Sequence, residues 1–273
     1  MFRAVVVVAA SFTCVLKNVL ESLRDNLAGA KTLYVILPKT QLWKCSRFAR
    51  FNPTIEVSCV DEMAILNKFG PWNKWPTKNG WQPSQGRTNW YYQQLLKMLC
   101  VFALDLTQQY VIWDADNVLL QRYDPFKHNG AATFLTRGNE VNREPGHYVP
   151  ALEAHIGRLP DLRKDTVTHQ LAVNKKYMLE LLIRMCPTSK RNTSLCASEI
   201  IQRIPKTASS RLGFSEYYTY YAWMVKRHLP MVFIDENWLF ERTVTKQTWS
   251  LKQCRRLRIS NPPENLLFAV YEE

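Results

Sequence analysis

The sequence predicts an α/β protein with a Rossmann-like, mostly parallel central sheet and helices on both faces. Two short apolar runs rich in β-branched residues, at 4–10 and 33–37, flank a helical stretch at 11–27. This strand–helix–strand order is typical of a parallel sheet. A third apolar run at 54–60 predicts a further strand. Ligands of such folds bind beyond the carboxyl ends of the strands.

The rest of the chain continues the alternation of helices and strands. The stretch 70–88 carries Trp72, Trp75 and Trp81 and predicts either a binding loop or a surface loop pinned by buried tryptophans. Helical periodicity returns at 89–106, and a short strand at 109–113 ends at Asp114. The remaining predictions are strands at 131–136, 166–173 and 231–234, and helices at 175–186, 198–204 and 215–227. Without internal repeats or a linker, residues 1–273 predict a single domain.

Composition narrows the classes of protein. A chain of 273 residues with 47% hydrophobic content supports a sizeable core and excludes a disordered protein. A net charge of +13 predicts an anionic partner such as nucleic acid, acidic lipid or a phosphorylated substrate. No stretch approaches the ~20 apolar residues of a transmembrane span. Because no signal-peptide cleavage pattern follows the first apolar run, the sequence predicts a cytoplasmic location.

The seven cysteines form no CxxC pair and no metal-binding spacing. An odd, scattered set predicts reduced thiols in a reducing compartment, with a Cys186–Cys196 disulfide as the alternative. Asn192 begins an Asn-Thr-Ser glycosylation sequon, which weakly opposes a cytosolic assignment.

Two carboxylates mark the end of an apolar strand. The run Tyr-Val-Ile-Trp at 110–113 leads into Asp114 and Asp116 with one residue between them. Two acids at a strand end repel each other unless a cation or ligand offsets the repulsion. Oxygen ligands suit Mg²⁺ or Mn²⁺, either of which can bridge to a diphosphate. The alternative interpretation is a pair of surface acids in a turn.

This Asp-x-Asp pattern, about 110 residues into the chain, resembles the DxD motif of the GT-A glycosyltransferases. Further blocks resemble one branch of that superfamily in the same order: Asn-Trp-Tyr-Tyr-Gln-Gln-Leu-Leu-Lys at 89–97, Thr-His-Gln at 168–170 and Gly-Phe-Ser-Glu-Tyr at 213–217. The resemblance implies a GT-A-like domain, with a nucleotide-binding half at 1–120 and an acceptor-binding half at 121–273. It also implies a metal-dependent hexosyl- or pentosyltransferase that moves a sugar from a nucleotide-diphosphate sugar, by default a UDP-sugar, to a glycan or another hydroxyl acceptor.

The resemblance also assigns residues to the donor site. It implies that Asp116 contacts the metal directly and that Asp114 contacts the ribose or the metal through water. Ala9 and Ser11, at the exit of the first strand, would lie along the nucleoside, and Asp61 would contact the base or ribose. The partners implied are a nucleotide sugar and a glycan, with no nucleic acid and possible peripheral contact with an anionic surface.

Further charged residues are assigned to the reaction itself. Arg87 and Lys97 are predicted to lie near the diphosphate and offset the charge of the leaving group, although a solvated helix face explains Lys97 equally well. Glu216, beside the aromatic residues of 214–221, is the candidate general base of an inverting transfer; a helix-start glutamate in front of core tyrosines is the alternative. His169 is predicted to contact the donor or acceptor sugar, or else to be a buried histidine.

One departure from the family concerns the third metal ligand. Many GT-A enzymes complete the metal shell with a late histidine, and no histidine follows His228. Water, Asp235 or Glu236 are the substitutes that the sequence offers.

Two alternatives of other classes stay open at this point. Asp114 and Asp116 also resemble the motif of haloacid-dehalogenase-type phosphatases, with Asp114 as nucleophile. That motif normally lies on the first strand, whereas here a strand–helix–strand unit precedes it. A basic RNA-binding domain would suit the charge, but the sequence has no RNP, KH or zinc-knuckle signature.

Overall fold

The structure is a computed structural model, and it describes residues 3–52, 54–67, 87–126, 131–136, 148–159, 162, 166, 168–189, 191–205, 208, 213–235, 241–244 and 268–272. For residues 235, 241–244 and 268–272 it describes the backbone alone. The helices are α1 (Cys14–Asn26), α2 (Leu42–Arg50), α3 (Glu62–Ile65), α4 (Thr88–Ala103), α5 (Val149–Ile156), α6 (Lys175–Met185), α7 (Thr193–Gln202) and α8 (Glu216–Lys226). The strands are β1 (Arg3–Val8), β2 (Ala30–Leu37), β3 (Glu56–Asp61), β4 (Gln109–Asp114), β5 (Asn117–Leu119), β6 (Ala132–Thr136), β7 (Gln170–Asn174), β8 (Met231–Asp235), β9 (Glu241–Val244) and β10 (Phe268–Glu272).

The central sheet has five strands in the order β3-β2-β1-β4-β7. Strands β3, β2, β1 and β4 run parallel to their neighbours, and β7 pairs with β4 in the antiparallel direction. The registers align Val8 with Asp114 and Leu37 with Asp61. The carboxyl ends of these strands therefore meet at one edge of the sheet. This confirms the prediction of an α/β fold with a mostly parallel sheet.

Local chemistry explains the first strand–helix–strand unit. All six residues of β1 are buried, as expected for a strand covered on both faces. The Thr13 side chain accepts a hydrogen bond from the Leu16 backbone N–H and caps α1. Gly29 has a φ of 76°, a left-handed conformation that glycine adopts without steric cost, and it turns the chain from α1 into β2.

Two smaller sheets accompany the central one. Strands β5, β10 and β9 form one sheet, and β6 and β8 form the other. Strand β10 pairs with β5 so that Val270 lies opposite Asn117, which directly follows Asp116. The last described strand thus returns to the segment that carries the Asp-x-Asp motif.

Several element boundaries differ from the sequence-based expectations. Strand β7 begins at residue 170 rather than 166. Helix α7 begins at 193 rather than 198, and Asn192 caps it. Helix α2 was not predicted, although its buried residues Cys45 and Phe48 are three residues apart, as expected for one face of a helix. Strands β5 and β9 were also missed, since three or four residues give too short a pattern, and the five-residue β10 was not predicted either.

The prediction of reduced thiols is wrong for most of the described cysteines, whereas Cys100 is a buried free thiol as expected. Cys45 of α2 and Cys59 of β3 form a disulfide with a Cα–Cα distance of 6.0 Å, and Cys186 and Cys196 form another with a Cα–Cα distance of 5.0 Å. Cys14 is also disulfide-bonded. The Cys45–Cys59 pair depends on α2 packing against β3, a tertiary contact that cysteine spacing cannot reveal.

Within the described ranges, no helix combines the length and the apolar character needed to cross a membrane. The predicted tryptophan loop falls almost entirely at 68–86, outside the described residues. Glu236, one of the substitutes for a third metal ligand, also lies outside them.

Candidate functional site

The Asp-x-Asp motif lies where the central sheet ends. Strand β4 terminates at Asp114, a two-residue turn contains Asp116, and β5 begins at Asn117. The Trp113 indole N–H donates to the Asn117 backbone carbonyl at 2.6 Å and braces this turn. Because Asp114 is in register with Val8 at the end of β1, both carboxylates lie at the carboxyl edge of the parallel strands, where ligands of α/β folds bind.

His169 completes a cluster with the two aspartates. It directly precedes β7, and the Asp114 backbone N–H donates to the His169 carbonyl at 3.0 Å, which extends the antiparallel pairing of β4 and β7. The His169 Nδ1 atom lies 2.9 Å from Asp114 Oδ2. One ligand atom from each of Asp114, Asp116 and His169 can be chosen so that all three lie within 4.8 Å of one another.

The backbone of His169 is strained. Its φ is 60°, in the left-handed region that non-glycine residues rarely adopt and in which histidine is enriched. Such outliers persist where the surrounding structure fixes them, and they occur often at functional sites. The pairing of its carbonyl with Asp114 is one such restraint.

A buried lysine lies behind Asp114. Lys97 of α4 is 3% exposed, and its Nζ atom donates to Asp114 Oδ1 at 2.5 Å and to Glu216 Oε1 at 2.8 Å. The Tyr217 hydroxyl also donates to Asp114 Oδ1, at 2.6 Å. Asp114 is therefore held by donors from α4, α8 and the residue before β7.

Helix α4 is also fastened to the segment that leads into α8. The Tyr91 hydroxyl accepts a hydrogen bond from the Gly213 backbone N–H, and the Gln94 side-chain oxygen accepts one from the Glu216 backbone N–H. Together with the Lys97–Glu216 ion pair, these contacts join the sequence blocks 89–97 and 213–217. Both blocks consequently serve to place a positive charge and a hydroxyl donor against Asp114.

The two aspartates have opposite protonation behaviour. Burial raises the pKa of Asp114, but Lys97 and His169 outweigh burial, so its pKa is lowered and it stays ionised. Burial and the neighbouring Asp114 carboxylate raise the pKa of Asp116 to about 6. Asp116 is thus the aspartate whose charge is less fully compensated, because the opposing effects of His169 and Lys97 do not outweigh burial and Asp114.

The donor set fits a divalent cation. Two carboxylates and an imidazole lie within reach of one another, and repulsion between the carboxylates would be relieved by a positive ion. Carboxylates suit Mg²⁺ and Mn²⁺, whereas an imidazole ligand is poorly suited to Mg²⁺, which prefers oxygen atoms alone. The side chains therefore fit Mn²⁺ better than Mg²⁺.

The sequence did not identify His169 as a possible metal ligand. The sequence predicted that His169 contacts a sugar or is a buried histidine. It offered Asp235, Glu236 or water as the third metal ligand. The missing information was the antiparallel register of β7 against β4, which places the residue before β7 next to Asp114. The strand predicted at 166–173 included His169, so the sequence carried no signal that this residue directly precedes β7.

The residues predicted to bind the nucleoside lie along the same edge of the sheet. Ala9 follows β1, and its backbone N–H donates to the Ile36 carbonyl at 3.0 Å, so it prolongs the pairing of β1 and β2. Ser11 is half-buried just beyond it. Asp61 ends β3, where its side chain accepts a hydrogen bond from the Met63 backbone N–H and caps α3.

The structure separates the two predicted diphosphate cations. Lys97 points into the protein, and both carboxylates that it contacts are inside the cluster already described. Arg87 is exposed at the start of α4, with its guanidinium 5.9 Å from the centre of the Trp90 ring. Ten residues of helix correspond to about 15 Å along the axis, so Arg87 and Lys97 do not act at the same point.

The Glu216 side chain is more buried than is expected for a general base. Its side chain is 3% exposed, and burial raises its pKa while Lys97 opposes this shift. A general base must reach the proton that it abstracts, within hydrogen-bonding distance or through one water. Ser215 does begin α8 as expected, with its hydroxyl accepting a hydrogen bond from the Tyr218 backbone N–H.

The aromatic residues around Glu216 belong to the core. They are at most 4% exposed and comprise Phe214, Tyr217, Tyr218, Tyr220 and Tyr221. The Tyr220 hydroxyl accepts a hydrogen bond from the Asn174 backbone N–H, and the Tyr218 ring packs 5.6 Å from that of Tyr148. In this structure they therefore support α8 from within the core, which corresponds to the alternative of core tyrosines.

A basic, aromatic groove lies between α1 and α2, away from the aspartates. It encloses about 540 Å³. Its lining includes the cations Lys17, Lys44 and Arg47 and the largely exposed rings of Trp43 and Phe51. Among the described residues, no carboxylate pairs with Lys44 or Arg47, so part of the positive charge surplus is uncompensated on this face.

Solved structures share this fold. Mouse xyloside xylosyltransferase 1 in its apo form has a TM-score of 0.52 at 11% identity, over 98% of this chain and 97% of that chain. The galactosyltransferase LgtC in complex with donor and acceptor sugar analogs has a TM-score of 0.55 at 12% identity, over 99% of this chain and 87% of that chain. An active-site mutant of LgtC has a TM-score of 0.53 at 10% identity, with the same coverage.

No family model and no curated protein matches the chain. At 10–12% identity the similarity to solved structures establishes the fold, which is the GT-A fold of glycosyltransferases. The predicted fold class is confirmed. The comparisons do not favour the phosphatase or the RNA-binding alternative.

Proposed function

We propose that this protein is a glycosyltransferase that binds a nucleotide-diphosphate sugar, by default a UDP-sugar, through a Mn²⁺ ion. The observation that carries the proposal is the Asp114–Asp116–His169 cluster at the carboxyl edge of the parallel strands of a GT-A fold. When bound, the ion would neutralise charge on the donor diphosphate. The acceptor is a hydroxyl group of a glycan or glycoconjugate.

Within the site, each side chain has a distinct task. Asp116, His169 and Asp114 would hold the cation. Lys97 keeps Asp114 ionised, and Lys97 and Tyr217 fix its orientation, since both donate to its Oδ1 atom. A ligand whose own rotamer is fixed by hydrogen bonds loses less entropy when it binds a metal, and such partners raise metal affinity.

Glu216 would act through Lys97 in this proposal. Its carboxylate is a second partner of the Lys97 ammonium group beside Asp114 and so helps to hold that group in place. The general-base role stays a prediction, and it requires a rearrangement that brings the Glu216 carboxylate to an acceptor hydroxyl. The anomeric configuration of the product separates the two roles, since the base belongs to an inverting transfer.

The nucleoside would lie across the ends of β1 and β3, next to Ala9, Ser11 and Asp61, which share the edge that carries Asp114. In this proposal residues 1–120 form the nucleotide-binding half and residues 121–273 the acceptor-binding half, and the second half also contributes His169 to the cation site. We include Arg87 as a cation that could meet the donor from the start of α4.

The groove between α1 and α2 supports a further part of the proposal, peripheral contact with an anionic surface. Lys44 and Arg47, with which no described carboxylate pairs, lie there with the exposed rings of Trp43 and Phe51. Reversal of charge at Lys44 and Arg47 should weaken binding to an anionic surface and reduce its dependence on salt concentration. Reversal at Lys175, which donates to the Leu106 carbonyl outside the groove, should do neither.

The test of the proposed function is hydrolysis of nucleotide sugars in the absence of acceptor. We expect one nucleotide sugar to be cleaved in the presence of Mn²⁺ and none under excess chelator. Failure of every common nucleotide sugar to bind or be cleaved would remove the proposal.

A further inference from the structure

The chain contains one Asn-x-Ser/Thr sequon without proline, Asn192-Thr193-Ser194. Asn192 ends an exposed turn between α6 and α7, and Thr193 and Ser194 are the first two residues of α7. The turn is closed by a hydrogen bond from the Asn192 backbone N–H to the Ser189 carbonyl at 2.9 Å, and Arg191 has a φ of 70°. Asn192 is exposed to solvent at the start of α7, as a modified side chain requires.

Only one of the two polar atoms of the Asn192 side chain forms a hydrogen bond with the described residues. Its Oδ1 atom accepts a hydrogen bond from the Leu195 backbone N–H at 3.0 Å and caps α7. No described residue accepts a hydrogen bond from its Nδ2 atom. An N-linked sugar is attached to Nδ2, so the cap and the glycan occupy different atoms and are compatible.

The cysteines supply independent evidence about the compartment. The Cys186–Cys196 disulfide encloses the sequon, and Cys45–Cys59 joins α2 to β3 elsewhere in the protein. Structural disulfides form and persist in oxidising compartments and are rare in the cytosol. An oxidising compartment is also where sequons are glycosylated in secreted proteins.

We propose that Asn192 carries an N-linked glycan and that the protein matures in an oxidising, secretory compartment. This replaces the expectation of a cytoplasmic protein, and it does not depend on the proposed enzymatic function. The donor is a lipid-linked diphospho-oligosaccharide. The bond between the Asn192 Nδ2 and the sugar C1 forms, the bond between C1 and the phosphate oxygen breaks, the amide loses one proton, and the lipid diphosphate leaves.

Two variants separate loss of the glycan from loss of the helix cap. Ser194→Ala destroys the sequon and leaves the Asn192 cap in place. Asn192→Asp also destroys the sequon, and aspartate is an equally good cap. Ser194→Thr keeps the sequon and is the matched control. Asn52, in an Asn-Pro-Thr triplet, is an internal negative control, because proline at the middle position prevents modification.

The experiment uses the tagged full-length chain expressed in its own source cells. We expect the wild type and Ser194→Thr to lose mass on treatment with peptide N-glycosidase, with Asn192 converted to aspartate. Ser194→Ala and Asn192→Asp should lose no mass, and peptide mapping without reduction should join Cys186 to Cys196 in the wild type. An unmodified Asn192 in the wild type, or reduced Cys186 and Cys196, would overturn the proposal.

Discussion

Lys97 Nζ lies 2.5 Å from Asp114 Oδ1, and the same ammonium group lies 2.8 Å from Glu216 Oε1. All three charges are largely buried, so one cation from α4 compensates two carboxylates from β4 and α8. Burial lowers the pKa of Lys97, but the two carboxylates outweigh this effect and the pKa is raised. Lys97 therefore stays charged, and the predictions below follow from that arrangement.

Replacement of the buried lysine should destabilise the protein strongly. Lys97→Met leaves two buried carboxylates without a cation, and loss of one partner of a buried ion pair costs about 3–5 kcal/mol. The matched control is Lys17→Met, since Lys17 is exposed and lies 3.8 Å from Glu21 in a surface pair worth about 0–1 kcal/mol. Urea unfolding measures both. A Lys97→Met variant as stable as the control would contradict the assigned role of Lys97.

Glu216→Gln should separate a positioning residue from a general base. The neutral amide still offers an oxygen to Lys97, so we expect turnover to fall by less than about 10-fold, with the pH profile of turnover unchanged. Loss of a general base would lower turnover by about 10²- to 10⁴-fold with little change in donor affinity. A loss of that size, with an inverted product, would instead assign the base to Glu216.

His169→Asn should weaken Mn²⁺ binding without unfolding the protein. Asparagine tolerates the left-handed backbone of residue 169 but supplies no imidazole. We expect the affinity for Mn²⁺, measured by isothermal titration calorimetry, to fall at least about 10-fold. Loss of a residue that only supports a metal ligand already lowers affinity by about that factor. His228 shares the left-handed conformation, with a φ of 50°, and is exposed, so His228→Asn is the control and should bind normally. Equal affinities in the two variants would exclude His169 as a ligand.

His155 should make stability depend on pH. Burial lowers its pKa below the ordinary value of 6.5, and its ring nitrogens contact the carbonyls of Ala151 and Ile200. Below about pH 6.5 the unfolded chain binds a larger fraction of a proton at this histidine than the folded protein does, so the free energy of unfolding falls as the pH is lowered, by up to about 1.4 kcal/mol per pH unit.

The variant His155→Gln checks this contribution. It should be less stable than the wild type at pH 7.5 but should lose less stability between pH 6.5 and 5.5 in urea unfolding. His228→Gln should keep the wild-type pH dependence. If the wild type and His155→Gln lost equal stability over that interval, His155 would not be the titrating group.

The sequence predicted the parts of the fold that have strong local patterns. The valine-rich β1 and the apolar strand before Asp114 are continuous buried runs, and both form as expected. Short strands such as β10 depend on partners that are distant in the sequence. Their formation is decided by tertiary contacts that a local pattern does not contain.

The sequence could locate the site residues that are close together in the chain but not those that come from distant segments. Asp114 and Asp116 share one strand end, so the motif located them. His169, Lys97 and Tyr217 reach Asp114 from 55, 17 and 103 residues away, and only the register of β7 and the packing of α4 and α8 bring them together. The disulfide between Cys45 and Cys59 was missed for the same reason.

The central claim is that Asp116 belongs to a metal-dependent nucleotide-sugar site. The most direct test measures cleavage of nucleotide sugars, with Mn²⁺ and without acceptor, by the wild type and by Asp116→Asn. The account predicts cleavage of at least one donor by the wild type, its loss under excess chelator, and its loss in Asp116→Asn, with unchanged circular dichroism. Full activity in Asp116→Asn, or in the wild type under chelator, would contradict the claim.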